Sequence, residues 1–437
     1  MAYRVGLATL GCKVSQYETE AIREAFIQRG FTVDSFESVC DVYVVNTCTV
    51  TAESDRKSRQ IIRRALRKNP HAIMMVTGCY SQLRPDEVAE IEGVSYVSGS
   101  DRKLRLVDRA VELLMGKSVP KIEVAELEGA TFERMCITEA PRTRAYVKIE
   151  DGCACRCTYC TIPAARGYVR SKAKQDVISE VQGLCESGTR EVVLTGIETA
   201  AYGIDLDGYR LPDLLLDISR ETDVERIRLG SLSPEMMTPK TVERLAEIPK
   251  LAPHFHLSMQ SGSDAVLRAM RRRYSASGAL TALSMLRQAM PSVQFTTDMM
   301  VGFPGETSAL FDETVAFCRE ASFLQMHVFA YSRRPGTPAA DFPDQVDEGE
   351  KRRRSSALIA LDREIRSEIL SGICKKGAPL SVLFETRNDL GLWHGHSNEF
   401  IEVVTESDEP LYGRLCSVLP LSLSDGIVRA RLVSTHD

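Results

Sequence analysis

Four cysteines fall within eight residues, Cys153, Cys155, Cys157 and Cys160, in the run DGCACRCTYCTIPAARGYVR that begins at Asp151 and follows an apolar stretch. The rest of the chain reads as the scaffold that presents this loop. Cys153, Cys157 and Cys160 stand in a C-x3-C-x2-C spacing. Three thiolates can hold three irons of a 4Fe-4S cube and leave the fourth iron open to a small molecule. Such clusters are partners of S-adenosylmethionine (SAM) in radical chemistry, where the cofactor performs the hard step and the protein orients it. The four cysteines together could instead close a four-thiolate zinc site, as C-x-x-C pairs commonly do. Cys155, inside the gap, is read as a bystander to an iron site.

Upstream, residues 1–118 alternate short apolar runs (YRVGLATLG, FTVDSF, DVYVVNTCTV, AIMMVTGCY, VSYVSGS) with helical patterns, which predicts a parallel, doubly wound sheet. Cys12, Cys48 and Cys79 each follow a predicted strand, just before the turn into a helix. Ligands of such sheets collect at the carboxyl ends of strands, so one edge gathers a second trio of thiols. A single cysteine there would be ordinary core; three at equivalent strand ends favour a cluster. Cys185 and Cys318 fall on apolar stripes and read as core.

Residues 119–142 carry weak periodicity and read as a linker. A second series of six strand-helix units follows, RAYVKIE, REVVLTGIE, RIRLGSLSP, HFHLSMQSG, QFTTDMMVGFP and MHVFAYS, too few to close an eight-stranded barrel. On HFHLSMQSG, His256, Ser258 and Gln260 share one face, and Phe255, Leu257 and Met259 the other. A polar inner face, continued by Thr296 and Asp298 on the next strand, predicts a ligand rather than a filled core. From residue 378 the pattern turns to short alternating runs, a small all-β barrel. Trp393 in it could stack a base or sit in the core.

The length of 437 residues allows several domains, and 43% hydrophobic with 26% charged residues is ordinary for a soluble protein. Thirteen cysteines without a signal-like N-terminus point to metal or redox work in the cytoplasm rather than disulfides. No apolar run is long enough to span a membrane. The net charge of −5 excludes a generally basic nucleic-acid binder, although residues 56–68 hold seven Lys or Arg. Most such runs are solvated helix faces.

LGCKVSQYETE, NTCTVT, TGCYSQ, DGCACRCTYCTIPAARG, LTGIETAAYG, MQSGSDAVLRAMRRRY and DMMVGFPGET together resemble, in order and over nearly the whole chain, the radical SAM methylthiotransferases. The GCKV run is similar to the branch acting on N6-threonylcarbamoyladenosine-37 of tRNA; the isopentenyladenosine branch reads GCQMN and the branch acting on a ribosomal-protein aspartate reads GCPKN. Ser15 stands where the pattern has Asn. The resemblance implies a flavodoxin-like α/β domain (1–118), a linker (119–142), a partial (βα)6 radical SAM TIM barrel (143–371) and a C-terminal TRAM barrel (372–437).

It further implies two 4Fe-4S clusters, one on Cys153, Cys157 and Cys160 that cleaves SAM, the other on Cys12, Cys48 and Cys79 that carries the sulfur. Two SAM molecules are consumed per product. Tyr159, Gly196, Glu198, Gln260 and Asp298 are the expected SAM contacts, from loop position and inward-facing pattern as well as likeness. Arg166, Arg170, Tyr331, Arg333 and Arg334 are candidates for the tRNA anticodon loop or the threonylcarbamoyl carboxylate, Arg166 and Arg170 pairing equally well with barrel carboxylates. The expected partners are tRNA, an electron donor such as flavodoxin or ferredoxin, and a sulfur donor the sequence does not identify; the chain is expected to act as a monomer, away from membranes. The rival from another class is a non-catalytic, metal-containing RNA-binding protein.

Overall fold

The computed structural model describes residues 2–140 and 143–435. The first domain is a parallel sheet of six strands, β1 (Arg4–Thr9), β2 (Thr32–Asp34), β3 (Val42–Thr47), β4 (Ile73–Gly78), β5 (Val94–Ser98) and β6 (Ile122–Glu123), in the order β2-β1-β3-β4-β5-β6. Alternation along β3 shows why it is central. Val42 and Val44 pack with Ile22 and Phe26 on one face, while Tyr43 and Val45 pack with Ile62 and Ala65 on the other. A strand covered on both faces reads as an unbroken apolar run, and each such side chain contributes roughly 1.5–3 kcal/mol of burial. Residues 119–142, the expected linker, supply β6 and bury Met135 and Ile137; Pro141 and Arg142 of that stretch lie outside the described residues.

The second domain is an open half-barrel. Its strands are β7 (Arg144–Lys148), a short pair β8 (Glu150–Asp151) and β9 (Arg170–Ser171), then β10 (Glu191–Thr195), β11 (Arg226–Leu229), β12 (Ser231–Leu232), β13 (His254–Gln260), β14 (Gln294–Val301) and β15 (Gln325–Ala330). β11-β10-β7 and β12-β13-β14-β15 are parallel sheets. β11 and β12 are one strand interrupted at Gly230, so six strand-helix units are present, as the sequence predicts. Phe255, Leu257 and Met259 enter the core under the helices. The polar face is left to the lumen, where His256 bonds Thr296 at 3.0 Å and Asp298 at 3.1 Å.

The 29-residue helix Glu348–Lys376 leads to a closed five-stranded barrel of β16 (Leu380–Arg387), β17 (Trp393–Ser397), β18 (Glu402–Thr405), β19 (Leu415–Ser424) and β20 (Ile427–Thr435). Trp393 is buried in its core beside Phe384 and Val403, and so takes the packing role of the two weighed from sequence. Among the described residues no helix is long and apolar enough to cross a membrane.

The small barrel plugs the amino end of the half-barrel. Phe400 stacks on His254 with ring centroids 4.6 Å apart. Arg226 and Arg228 reach from Glu191, at 2.7 and 2.9 Å, to Asn398 Oδ1 at 2.6 Å and the Ser397 carbonyl at 3.1 Å. Burial pushes the Glu191 carboxyl up, but Arg226, Arg228 and Arg144 outweigh it and hold it well below the usual carboxylate range. Glu191→Gln leaves two buried guanidinium groups without their anion and should cost about 3–5 kcal/mol in denaturant unfolding at pH 7. A carboxylate whose folded pKa is depressed stabilises above its unfolded value of about 4.3 and loses that contribution as pH falls. The gap between wild type and variant should therefore shrink below about pH 4; an equal gap at pH 7 and in acid would refute this.

Candidate functional site

The cysteine loop is held open by its frame. β8 and β9 pair antiparallel, Asp151 opposite Arg170, and bring the loop's two ends together. Gly152 sits at φ +95°, and a Cβ there would lie 2.0 Å from the Tyr168 carbonyl oxygen, so only glycine can begin the loop. Across the barrel mouth, the Thr158 amide donates to the Met270 carbonyl at 3.1 Å and its hydroxyl to Ala269 at 2.8 Å. The sulfurs receive donors: the Cys155 amide to Cys153 Sγ at 3.3 Å, the Ile162 amide to Cys160 Sγ at 3.4 Å, and Arg272 to Cys157 Sγ at 3.5 Å.

The second trio arises from strand order. β1, β3 and β4 are neighbours, and Cys12, Cys48 and Cys79 follow their carboxyl ends. Gly11, at φ +121°, places its backbone so close that a Cβ would be 3.3 Å from Cys48 Sγ. Ser15 Oγ lies 3.8 Å from Cys12 Sγ.

The carboxyl ends of the two sheets face each other across one cavity of about 380 Å³. Cys12, Val50 and Thr51 line it from the first domain, and all four loop cysteines from the second. The five expected SAM contacts, Tyr159, Gly196, Glu198, Gln260 and Asp298, also line it, as does Tyr331. A Cβ on Gly196 would stand 2.5 Å from Glu150 Oε2, which explains the glycine. Gln260 adopts φ +66°, and its Oε1 and the Tyr331 hydroxyl are buried without a hydrogen-bond partner. Strain and orphaned polar atoms at a cavity wall point to a missing ligand.

The donor set fits cubes better than single ions. Zinc–thiolate bonds of ~2.3 Å would draw sulfurs to within about 4 Å of one another. Neither trio has all its sulfurs within 4.8 Å, and the four loop cysteines do not either; among the described residues the group that close is Cys153, Cys155 and Glu198. Both thiols of that group donate to the Glu198 carboxylate, at 3.1 and 3.3 Å. Burial pushes the Cys48 thiol up to about 11 and the Cys160 thiol up to about 12. Both stay protonated near neutrality until a metal displaces the proton.

Not every expected residue reaches the cavity. Arg166 is fully buried and directs its guanidinium to Cys79 Sγ, Glu18 and Asp151, so of the two roles weighed it takes the carboxylate pairing rather than a substrate contact, and it ties the domains together. Arg170 is buried against Asp151 at 3.3 Å, the carboxylate pairing weighed as the alternative. Arg334 likewise crosses to the first domain, bonding Thr49 at 2.7 Å and Asp55 at 2.6 Å, and is corrected from a substrate contact to a tie between domains. Arg333 is exposed. The buried carboxylates and lysines behind the loop, Glu18, Asp151, Lys103 and Lys148, escape sequence reasoning, because nothing local distinguishes them from surface charges. Arg272 was hidden in the basic run at 268–273, which reads as a solvated face.

Residues 4–99 match the uncharacterized protein family UPF0004, and residues 147–318 match the radical SAM superfamily. The chain is 39% identical to the threonylcarbamoyladenosine tRNA methylthiotransferase MtaB of Bacillus subtilis, covering 95% of this chain and 93% of that one. It is 32% identical to the tRNA-2-methylthio-N(6)-dimethylallyladenosine synthase of Carboxydothermus hydrogenoformans, over 94% and 95%. Its fold is similar to the radical S-adenosylmethionine methyltransferase TsrM from Kitasatospora setae, with a TM-score of 0.59 at 18% identity, over 78% of this chain and 77% of that chain.

Proposed function

The chain belongs to the radical SAM methylthiotransferases, and from that premise we propose that it converts N6-threonylcarbamoyladenosine-37 of tRNA to the 2-methylthio derivative. The observation that supports the reading is that Cys12, one of three cysteines that follow neighbouring strands of the first domain, and all four loop cysteines of the second domain line one cavity. Cys153, Cys157 and Cys160 are the proposed holders of one 4Fe-4S cluster, and Cys12, Cys48 and Cys79 of the other. When bound, the clusters and SAM supply an electron, a carbon radical strong enough for an unactivated aromatic C–H, and the sulfur to be inserted.

The protein's own groups bind and orient. Tyr159, Gly196, Glu198, Gln260 and Asp298 line the cavity that would take SAM, and the unpartnered Gln260 Oε1 is a spare acceptor at its wall. Glu198 has to give up its Cys153 donor when that sulfur ligates iron, which frees one carboxylate oxygen for a cationic amine while the other still accepts from Cys155. Arg272 and the amides of Cys155 and Ile162 orient the loop sulfurs. The helix Ala52–Lys68 starts at Thr51 on the cavity rim and turns Arg56, Lys57, Arg63, Arg64 and Arg67 to solvent, a face suited to RNA phosphates. Adenosine 37 is in a loop, where a base can be splayed into a pocket. Tyr331 at the wall and exposed Arg333 are the remaining substrate contacts of the expected set.

The reading also calls for a low-potential electron donor such as flavodoxin or ferredoxin, and for a cytoplasmic monomer. Threonylcarbamoyladenosine is preferred over isopentenyladenosine by the GCKV run and by the stronger likeness to relatives named for that substrate. Incubating reconstituted protein with tRNA, SAM and dithionite, then analysing nucleosides by mass spectrometry, should yield 2-methylthio-N6-threonylcarbamoyladenosine. Methylthiolation of isopentenyladenosine alone would contradict the substrate.

A further inference from the structure

Arg166 ends the short helix Ile162–Arg166, six residues beyond Cys160, and so is carried by the loop of the first trio. Its side chain nevertheless belongs to the second. Nε donates to Cys79 Sγ at 3.1 Å, Nη2 to Glu18 at 3.1 Å and Nη1 to Asp151 at 3.3 Å. Glu18 lies on the helix that starts after Cys12, so one guanidinium fastens the strand-end edge of the first domain to the loop of the second.

The charges around it do not balance. Arg166, Lys103, Lys148 and Arg170 are all buried, against two carboxylates in contact, Glu18 and Asp151. The next carboxylates accept from backbone instead, Glu150 from the Glu198 amide at 2.8 Å and Glu133 from the Leu104 amide at 3.0 Å, and burial pushes both carboxyls up. Over the groups in contact the surplus is two positive charges. A buried surplus of cations is costly unless an anion offsets it. Besides the carboxylates, the acceptors in contact are Asn46 Oδ1, which takes Lys103 at 3.3 Å, and Cys79 Sγ, which takes Arg166 at 3.1 Å, and of the two only the sulfur can carry a negative charge. A 4Fe-4S cube on three thiolates is a net anion and gains a further negative charge on reduction, so it complements this surplus.

We infer that Arg166 is a positioning residue for the auxiliary cluster: it fixes the Cys79 sulfur relative to the SAM-binding loop and, with the surplus charge behind it, raises the cluster's reduction potential. Hydrogen bonds to ligating sulfurs and net charge are recognised levers on such potentials. The inference rests on the assignment of Cys12, Cys48 and Cys79 as cluster ligands. It adds that the second cluster is held reducible by a residue delivered from the first cluster's loop, so the two sites are tuned together.

The test uses full-length, anaerobically reconstituted protein carrying Cys153→Ala, Cys157→Ala and Cys160→Ala, so that the auxiliary cluster alone remains, read by redox titration with EPR. Arg166→Gln should lower the midpoint potential by a tenfold or greater change in preference for the reduced state, 59 mV for one electron. Arg166→Lys, which keeps the charge but loses the planar fork, should lower it by less. An unchanged potential in Arg166→Gln with its iron retained overturns the inference. If Arg166→Gln sheds its iron at an unchanged melting temperature, the holding role is supported. If its melting temperature falls as well, the lysine variant decides: a lowered potential supports the inference, and an unchanged potential or the same collapse overturns it. A parent protein with no auxiliary cluster overturns both this and the functional reading, whereas a cluster indifferent to Arg166 overturns this inference alone.

Discussion

Cys157→Ala is expected to abolish reductive cleavage of SAM, with 5'-deoxyadenosine formation falling by more than about 100-fold, since loss of a direct ligand should exceed the 10–100-fold typical of outer-shell partners. Cys157 is buried and receives Arg272, so its sulfur sits within the loop that faces Glu198 and Gln260. Cys48→Ala should differ in kind. It lies on the other domain, after β3, and its removal leaves the loop and the SAM wall intact. Cleavage should persist at a measurable fraction of wild type, while methylthio insertion into tRNA stops. Equal loss of cleavage in both variants, or loss of RNA affinity alone in both, would contradict the division of labour between the trios.

Glu18→Ala should be among the most destabilising single changes in the molecule. Glu18 is fully buried and paired with Lys103, with Lys148 at 2.8 Å and with Arg166. Burial pushes its carboxyl up, but Arg166, Lys103 and Lys148 together hold it well below the usual range. Truncation leaves three buried cations short of an anion at the junction of two domains. Breaking such a pair typically costs about 3–5 kcal/mol. The loss should be concentrated in docking of the first domain on the half-barrel, so guanidinium unfolding should split into two transitions where wild type shows one or a closer pair. An unchanged unfolding profile would contradict the assignment of this cluster as the domain tie.

Much of the fold was legible because periodicity reports burial. The β3 run is apolar from Val42 to Val45, since both its faces are covered, and β13 alternates, since one face lines a lumen. The two trios were legible because glycine and threonine around each strand-end cysteine mark the turn that a ligand site needs. The roles of the arginines were not legible. Arg166 and Glu18 are 148 residues apart, and Arg334 and Asp55 are 279 apart; a guanidinium in sequence shows its charge, not the carboxylate it will meet across a domain boundary. Residues 119–142 looked like a linker because their apolar residues keep weak periodicity and are mixed with many charges, yet Met135 and Ile137 are buried and anchor the stretch to the half-barrel core. The Met135 carbonyl then accepts from Tyr17 and Lys172, at 2.7 and 2.8 Å.

Iron and sulfide analysis with Mössbauer spectroscopy on the anaerobically reconstituted protein addresses the two-cluster claim directly. The expected result is about eight irons per chain, all in 4Fe-4S form, falling to about four when either Cys12, Cys48 and Cys79 or Cys153, Cys157 and Cys160 are replaced by alanine. Stoichiometric zinc, or an iron content that one of the two triple replacements leaves untouched, would contradict it.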